Sequence, residues 1–222
     1  MKTIKIITTA LLFLLVGGGV YLNLKEKAAI DNSKLPKKVE LERGFQRWIT
    51  NAKNKNIEVS ADEFSLLEEN EIYNTRWMKV ESIDKPGKRQ EFNQTLESHR
   101  NIDHIVFSPS ERIFLDYRNI PREGYKPNET HLYGLKEDKI IDARILECVN
   151  DKNCYFDRAY FLDNDVFVVH EVSLANPDDL CPLKETCAYT FKVHLADLIN
   201  NKRWIYESEE KAFSFSWAKE EL

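Results

Sequence analysis

From Ile72 onward, short apolar runs alternate with polar turns, a pattern that permits little besides antiparallel β-structure. Arg76–Ile83 and Arg89–Leu96 form the first predicted hairpin, around Lys85-Pro86-Gly87-Lys88. His104–Phe107 with Arg112–Tyr117 is the second, and His131–Leu135 with Ile140–Leu146 the third. Phe156–Leu162 with Val166–Val172 turns at Asp163-Asn164-Asp165, and Thr190–Leu195 with Arg203–Glu207 is the fifth pair. A last strand, Lys211–Ala218, places Phe213, Phe215 and Trp217 on one face at period two. The three aromatics need cover, from the domain's own core or from a partner's added strand. The 12 Phe, 9 Tyr and 4 Trp suit strands, whose surfaces aromatic side chains pack well.

The N-terminal region differs in kind. Lys2 and Lys5 precede Ile6–Leu24, which contains no charged residue. As a helix at ~1.5 Å per residue this run spans roughly 28 Å, close to the ~30 Å core of a bilayer. It reads as a signal anchor or transmembrane helix, or as a signal peptide cut near Gly17-Gly18-Gly19. Residues 25–38 are polar and aperiodic, a linker. Lys25, Lys27, Lys34, Lys37 and Lys38 follow the run, a count that on its own favours a cytoplasmic C-terminal domain. The export-like start argues for an extracytoplasmic one.

Leu41, Phe45, Trp48, Ile49 and Ala52 form one face of an amphipathic helix, with Gly44 a mild cost within it. Ser60 and Glu63 have capping-box spacing and predict a second short helix with Phe64 and Leu67 inward. The chain thus divides into 1–24, 25–38 and a soluble β-rich domain over 39–222. The fold class expected is α+β and mainly an antiparallel β meander, after an N-terminal membrane helix and one or two short helices.

Cys148, Cys154, Cys181 and Cys187 form two C-x5-C pairs. Turn-forming Asn150, Asp151 and Asn153 suit a bridge across a hairpin base. Disulfides, free buried thiols and a four-thiolate zinc site all fit the composition, although zinc sites usually space paired ligands more closely.

Catalytic motifs are absent from the sequence: no GxSxG, HExxH, P-loop or GxGxxG occurs. His99, His104, His131, His170 and His194 stand in no metal-ligand spacing, and His194 alternates away from its apolar neighbours, toward solvent. Asp163-Asn164-Asp165 leads straight into a strand and reads as a turn rather than a calcium loop. Asp116 and Glu171 lie inside apolar strands, where a carboxylate serves either edge protection or acid–base work. A formal net charge of -5 argues against nucleic acid as a partner.

A weak repeat joins the hairpins: HIVFSPSERIFLDYR lies on RAYFLDNDVFVVHEV, with Phe107 on Phe161. VFSPSERIFLDY and HLYGLKEDKII resemble hairpins of TolB-like and WD-type β-propeller blades, over roughly residues 100–210. The resemblance implies four-stranded meanders that present protein-binding surfaces. The chain lacks the WD dipeptide, and two clear units fall short of the ring of about four blades that such a fold needs. An open sheet or a sandwich of two small sheets fits the length. No cofactor is expected. The function expected is a membrane-tethered, non-enzymatic binding or assembly module of the cell envelope, with a protein partner. The alternative is an envelope hydrolase whose site gathers Asp116, His131, His170 and Glu171 from distant positions.

Overall fold

The structure, a computed structural model, describes residues 33–72, 78–118, 128–148, 154–176, 181 and 185–214. The chain divides into two units, Met1–Lys34 and Leu35–Leu222, and the fold below is that of the second. Its strands form two antiparallel sheets. The first contains β1 (Ser65–Asn70), β7 (Cys154–Phe161), β8 (Val166–Leu174), β9 (Thr186–Asp197), β10 (Lys202–Glu207) and β11 (Lys211–Ser214). Its order is β1-β10-β9-β8-β7, with β11 continuing beside β9 where β10 ends. The second sheet has the order β2-β6-β5-β4-β3. Its members are β2 (Met78–Ser82), β3 (Ile105–Phe107), β4 (Ile113–Asp116), β5 (Glu129–Lys136) and β6 (Lys139–Glu147). Each sheet is therefore a four-stranded meander whose last strand is flanked by a strand from earlier in the chain.

Helix α1 (Lys37–Glu40) leads into α2 (Arg43–Asn54), whose apolar stripe is the expected one. Phe45, Trp48 and Ala52 pack on Val168, Val172, Phe191, Val193 and Leu195, the outer face of the first sheet. Gly44 seats this helix: a Cβ there would lie 2.3 Å from the Tyr160 ring. The inner face, with Phe156, Phe167, Val169 and Ala196, shares a core with Ile113, Leu115, Leu132 and Ile145 of the second sheet. Close approach of strands within the second sheet requires Gly134, whose Cβ would meet the Ile113 backbone at 2.7 Å. On that sheet's outer face lies α3 (Lys88–Ser98), through Phe92 and Leu96 against Ile140, Tyr133 and Leu135. The layers run helix, sheet, sheet, helix.

Three expectations are corrected. The fold class placed a membrane helix before the domain, but no helix among the described residues is long and apolar enough to cross a membrane. The segment Ile6–Leu24 lies outside the described residues. The strand expected at Arg89–Leu96 is helix α3, built from Lys, Arg, Gln, Glu and Leu, with Phe92 and Leu96 one turn apart. Gly87, at φ +80°, turns the chain into it. The helix expected after Ser60 is a single 3-10 turn, Ala61–Glu63, although Ser60 Oγ does reach Glu63 Oε1 at 3.3 Å. The chain then enters β1, which pairs with β10 and bulges at Leu67, leaving Phe64 buried but Leu67 55% exposed.

The cysteines pair locally, Cys148 with Cys154 and Cys181 with Cys187, and no free thiol remains. The first bridge does not close a hairpin. It spans the crossover from β6 to β7, which belong to different sheets, and both sulfurs join the shared core. Disulfides persist in oxidising compartments, which puts this domain in an extracytoplasmic environment.

Candidate functional site: a polar layer between the sheets

The inner face of the first sheet changes character along its length. At one end it presents Phe167, Val169 and Ala196. At the other, period two brings Glu171 and Ser173 of β8, Thr190, Lys192 and His194 of β9, and Glu207 of β10 to the same face. Glu171 lies opposite Lys192, Ser173 opposite Thr190, and Lys192 opposite Glu207.

Glu171 is the hub. His194 Nε2 lies 2.7 Å from its Oε2, and Lys192 Nζ 3.6 Å from its Oε1. The same ammonium stands 3.6 Å from Glu207. Burial works to raise the Glu171 pKa, but the His194 hydrogen bond and the charges of His194 and Lys192 outweigh it, and the pKa falls to about 2. The carboxylate is thus ionised at neutral pH and accepts from His194 Nε2–H. His194 Nδ1 and Thr190 Oγ1 are buried without a partner among the described residues. Each such atom costs about 1–3 kcal/mol.

His170 follows the opposite logic on the other face of the same strand. Its ring is fully buried, 4.0 Å from Trp48 and 5.8 Å from Phe45 between centroids. Nε2 stands 3.2 Å from the Tyr160 hydroxyl. Burial, then the nearby Arg158 charge, holds its pKa well below 6.5, so the imidazole is neutral. Burial likewise raises the Tyr160 pKa.

Asp116 and His131 are cross-strand partners on the outer face of the second sheet. Arg118 grips Asp116 through Nη2–Oδ2 at 2.5 Å and Nε–Oδ1 at 2.9 Å, which outweighs burial and lowers the Asp116 pKa. His131 Nε2 lies 2.8 Å from Glu129, which also accepts from Arg144 at 2.7 Å.

Of the four residues suspected of gathering into a hydrolase site, the structure pairs Asp116 with His131. It separates His170 from Glu171 across the thickness of one sheet. The partner of Glu171 is His194, which the sequence had facing water. Strand alternation was right there, but the other side of the strand is covered by the second sheet, leaving His194 5% exposed. Phe213 packs on Tyr189 and Phe191, at 4.6 and 5.9 Å between centroids, and thus serves the domain's own core. Phe215 and Trp217 lie outside the described residues. The Asp163-Asn164-Asp165 turn closes β7 on β8, and Asn164 Oδ1 accepts from the Ser110 amide at 2.7 Å, tying it to the turn between β3 and β4. Among the described residues no group of three or more His, Cys, Asp or Glu is placed to hold a metal ion. In comparisons with family models, with curated proteins and with solved structures, nothing matches this chain.

Proposed function

We propose that this chain is a non-enzymatic binding module of the cell envelope, which meets the membrane through Ile6–Leu24 and engages a protein partner outside the cytoplasm. One observation carries the reading: the carboxylates that could run acid–base chemistry are each held by neighbouring cations or imidazoles. Glu171 is saturated by His194 and Lys192, Asp116 by Arg118, and His131 and Arg144 share Glu129. A carboxylate held at about 2 neither takes nor gives a proton at neutral pH. Fixed, neutralised charge of this kind shapes and rigidifies a scaffold. The resemblance to propeller blades belongs to the same proposal, since such sheets present protein-binding surfaces.

His194 Nδ1, without a partner among the described residues, favours the alternative, an envelope hydrolase in which Glu171 orients His194 as a base. The two readings part on His194→Gln, in cells and in cross-linking. The amide keeps a donor toward Glu171 but has no basic nitrogen. A binding module carrying it keeps its cross-linked envelope partner and its cellular role. Loss of the role with the partner still bound would sink the proposal and establish the alternative.

A further inference from the structure

A sheet edge is an open row of backbone donors and acceptors, and folded proteins blunt such edges with bulges, short strands, cover or charged side chains, lysine above all. Four of the five edge strands here are blunted by bulges, shortness or cover. In the first sheet, β1 bulges at Leu67 and β7 at Asp157. In the second, β3 has three residues and packs against β7. The short β11 is flanked by the 3-10 turn, through a Lys211–Glu63 ion pair of 2.7 Å.

β2 has neither bulge nor cover, and its two edge charges, Lys79 and Glu81, are of opposite sign and so do not repel an antiparallel copy of the same strand. Its five residues pair with β6 in unbroken register, and among the described residues no strand lies on its other side. At its centre Val80 is 46% exposed. Val80 and Met78 lie opposite Ile141 and Ala143, on the face toward the shared core, while Lys79 lies opposite Asp142 on the outer face. Lys79 is exposed and makes no salt bridge among the described residues, while Glu81 pairs with Lys88 of its own chain at 2.7 Å and has Lys85 3.9 Å from its other oxygen.

The sequence of this strand, Met78-Lys79-Val80-Glu81-Ser82, is complementary to itself when run antiparallel. A two-fold axis through Val80 sets Val80 against Val80, Lys79 against Glu81 and Met78 against Ser82, with each face meeting its like. A register slip of two residues instead sets Lys79 against Lys79 or Glu81 against Glu81, and like charges directly opposite are destabilising. Slips by one residue oppose core-facing to outward-facing side chains. One register therefore satisfies backbone, charge and face together, and it is isologous.

We propose that β2 is a self-association edge, whose occupant is β2 of a second copy of this chain, giving one continuous ten-stranded sheet (two copies of a five-stranded sheet) across the dimer. The proposal does not depend on the partner reading above, since the dimer needs no other protein. Five residues give a small interface, so the dimer is weak and visible by its concentration dependence.

Sedimentation velocity of the full chain in mild detergent tests this with two charge variants. Lys79→Glu leaves both charged positions acidic, and Glu81→Lys leaves both basic. Each variant alone is expected to dimerise at least about tenfold more weakly than wild type, a loss of about 1.4 kcal/mol. Mixed together they regain the dimer, because each then opposes its complement. That rescue separates a pairing effect from a folding defect. A second readout uses Val80→Cys, since opposed Cβ atoms about 4.5–5.5 Å apart allow an interchain disulfide under oxidation. Leu67→Cys, on the bulged edge, should not form one. A wild-type chain that stays monomeric, variants that associate like wild type, or equal cross-linking at 67 and 80 would overturn the proposal. If the dimer fails while the His194→Gln test holds, the self-association edge is lost and the binding module stands.

Discussion

The two sheets share a topology and differ in their cover. Each is a four-stranded meander with an added N-terminal strand, but the first is packed on both faces and the second is only partly roofed by α3. Along β8 every residue after Val166 is buried. Along β5 burial alternates as far as Gly134, and Glu129, His131 and Tyr133 take the half-buried positions. The same backbone pattern thus yields two kinds of ionisable site. On β8 polarity must be neutralised in place, and Glu171, His194 and Lys192 do so. On β4 to β6 the charged groups are only half-buried, and Asp116 with Arg118 just beyond β4, and Glu129 with Arg144 and His131, form pairs that keep some contact with water. A polar residue in a strand says which face it takes, and the cover over that face decides what it costs.

The contrast is sharpest in the core. Trp48→Ala, under the first sheet, is expected to cost about 3–5 kcal/mol in denaturant unfolding, since a large aromatic packed on Phe45, Phe64 and Phe191 leaves a cavity. Phe92→Ala, whose buried cluster among the described residues is completed by Ile83 and Ile140, should fall at or below the lower end of that range. Equal losses would show that the second sheet is as dependent on its helix as the first.

The ion pairs should separate next. Glu171→Ala strands His194 and Lys192, and loss of one partner from a buried pair costs about 3–5 kcal/mol. Glu129→Ala should cost less, because Arg144 keeps Glu147 at 2.8 Å and His131 is exposed enough to be solvated. Acid exposes the same difference. The Glu171 pKa is lowered on folding, so its stability is present above about 4.5 and lost as pH falls toward about 2. The His170 pKa is also lowered, so the folded state refuses a proton that the unfolded chain accepts. Its contribution is full above about 6.5 and drains as pH falls below that value. His170→Gln should therefore flatten the pH dependence of the melting temperature between about 6.5 and 4.5, leaving the Glu171 fall below it. An unchanged profile in that window would show that His170 is not the group responsible.

The smallest separation is between the disulfides. Each closes a loop of seven residues, both cysteines included, worth about 2 kcal/mol by loop entropy. Replacing Cys148 and Cys154 by Ala should exceed this, because both side chains sit in the shared core and bind the two sheets at their crossover. The same change at Cys181 and Cys187, only partly buried against the outer cluster, should stay near it.

How far the sequence carried depended on the range of the forces involved. The α2 stripe, the turns at Ser108–Arg112 and Asp163–Asp165, and the strands beside them all follow from local periodicity and turn chemistry. Arg89–Leu96 was legible too: its helix formers and the Phe92–Leu96 spacing outweigh the turn before it, which starts a helix as readily as a hairpin. Leu67 was not legible, since its exposure depends on pairing with a strand well over a hundred residues later.

The candidate site divides the same way. Alternation placed Glu171, Lys192 and His194 on known sides of their strands. Which of those sides would be buried was set by a second sheet whose approach no local pattern encodes. The sequence by itself determined where the chain turns, which residues share a face, and that local cysteine bridges were geometrically allowed. The tertiary structure decided what covers each face, and with it which charges had to find one another. Conformational preference is local, whereas burial exists only once two distant segments meet.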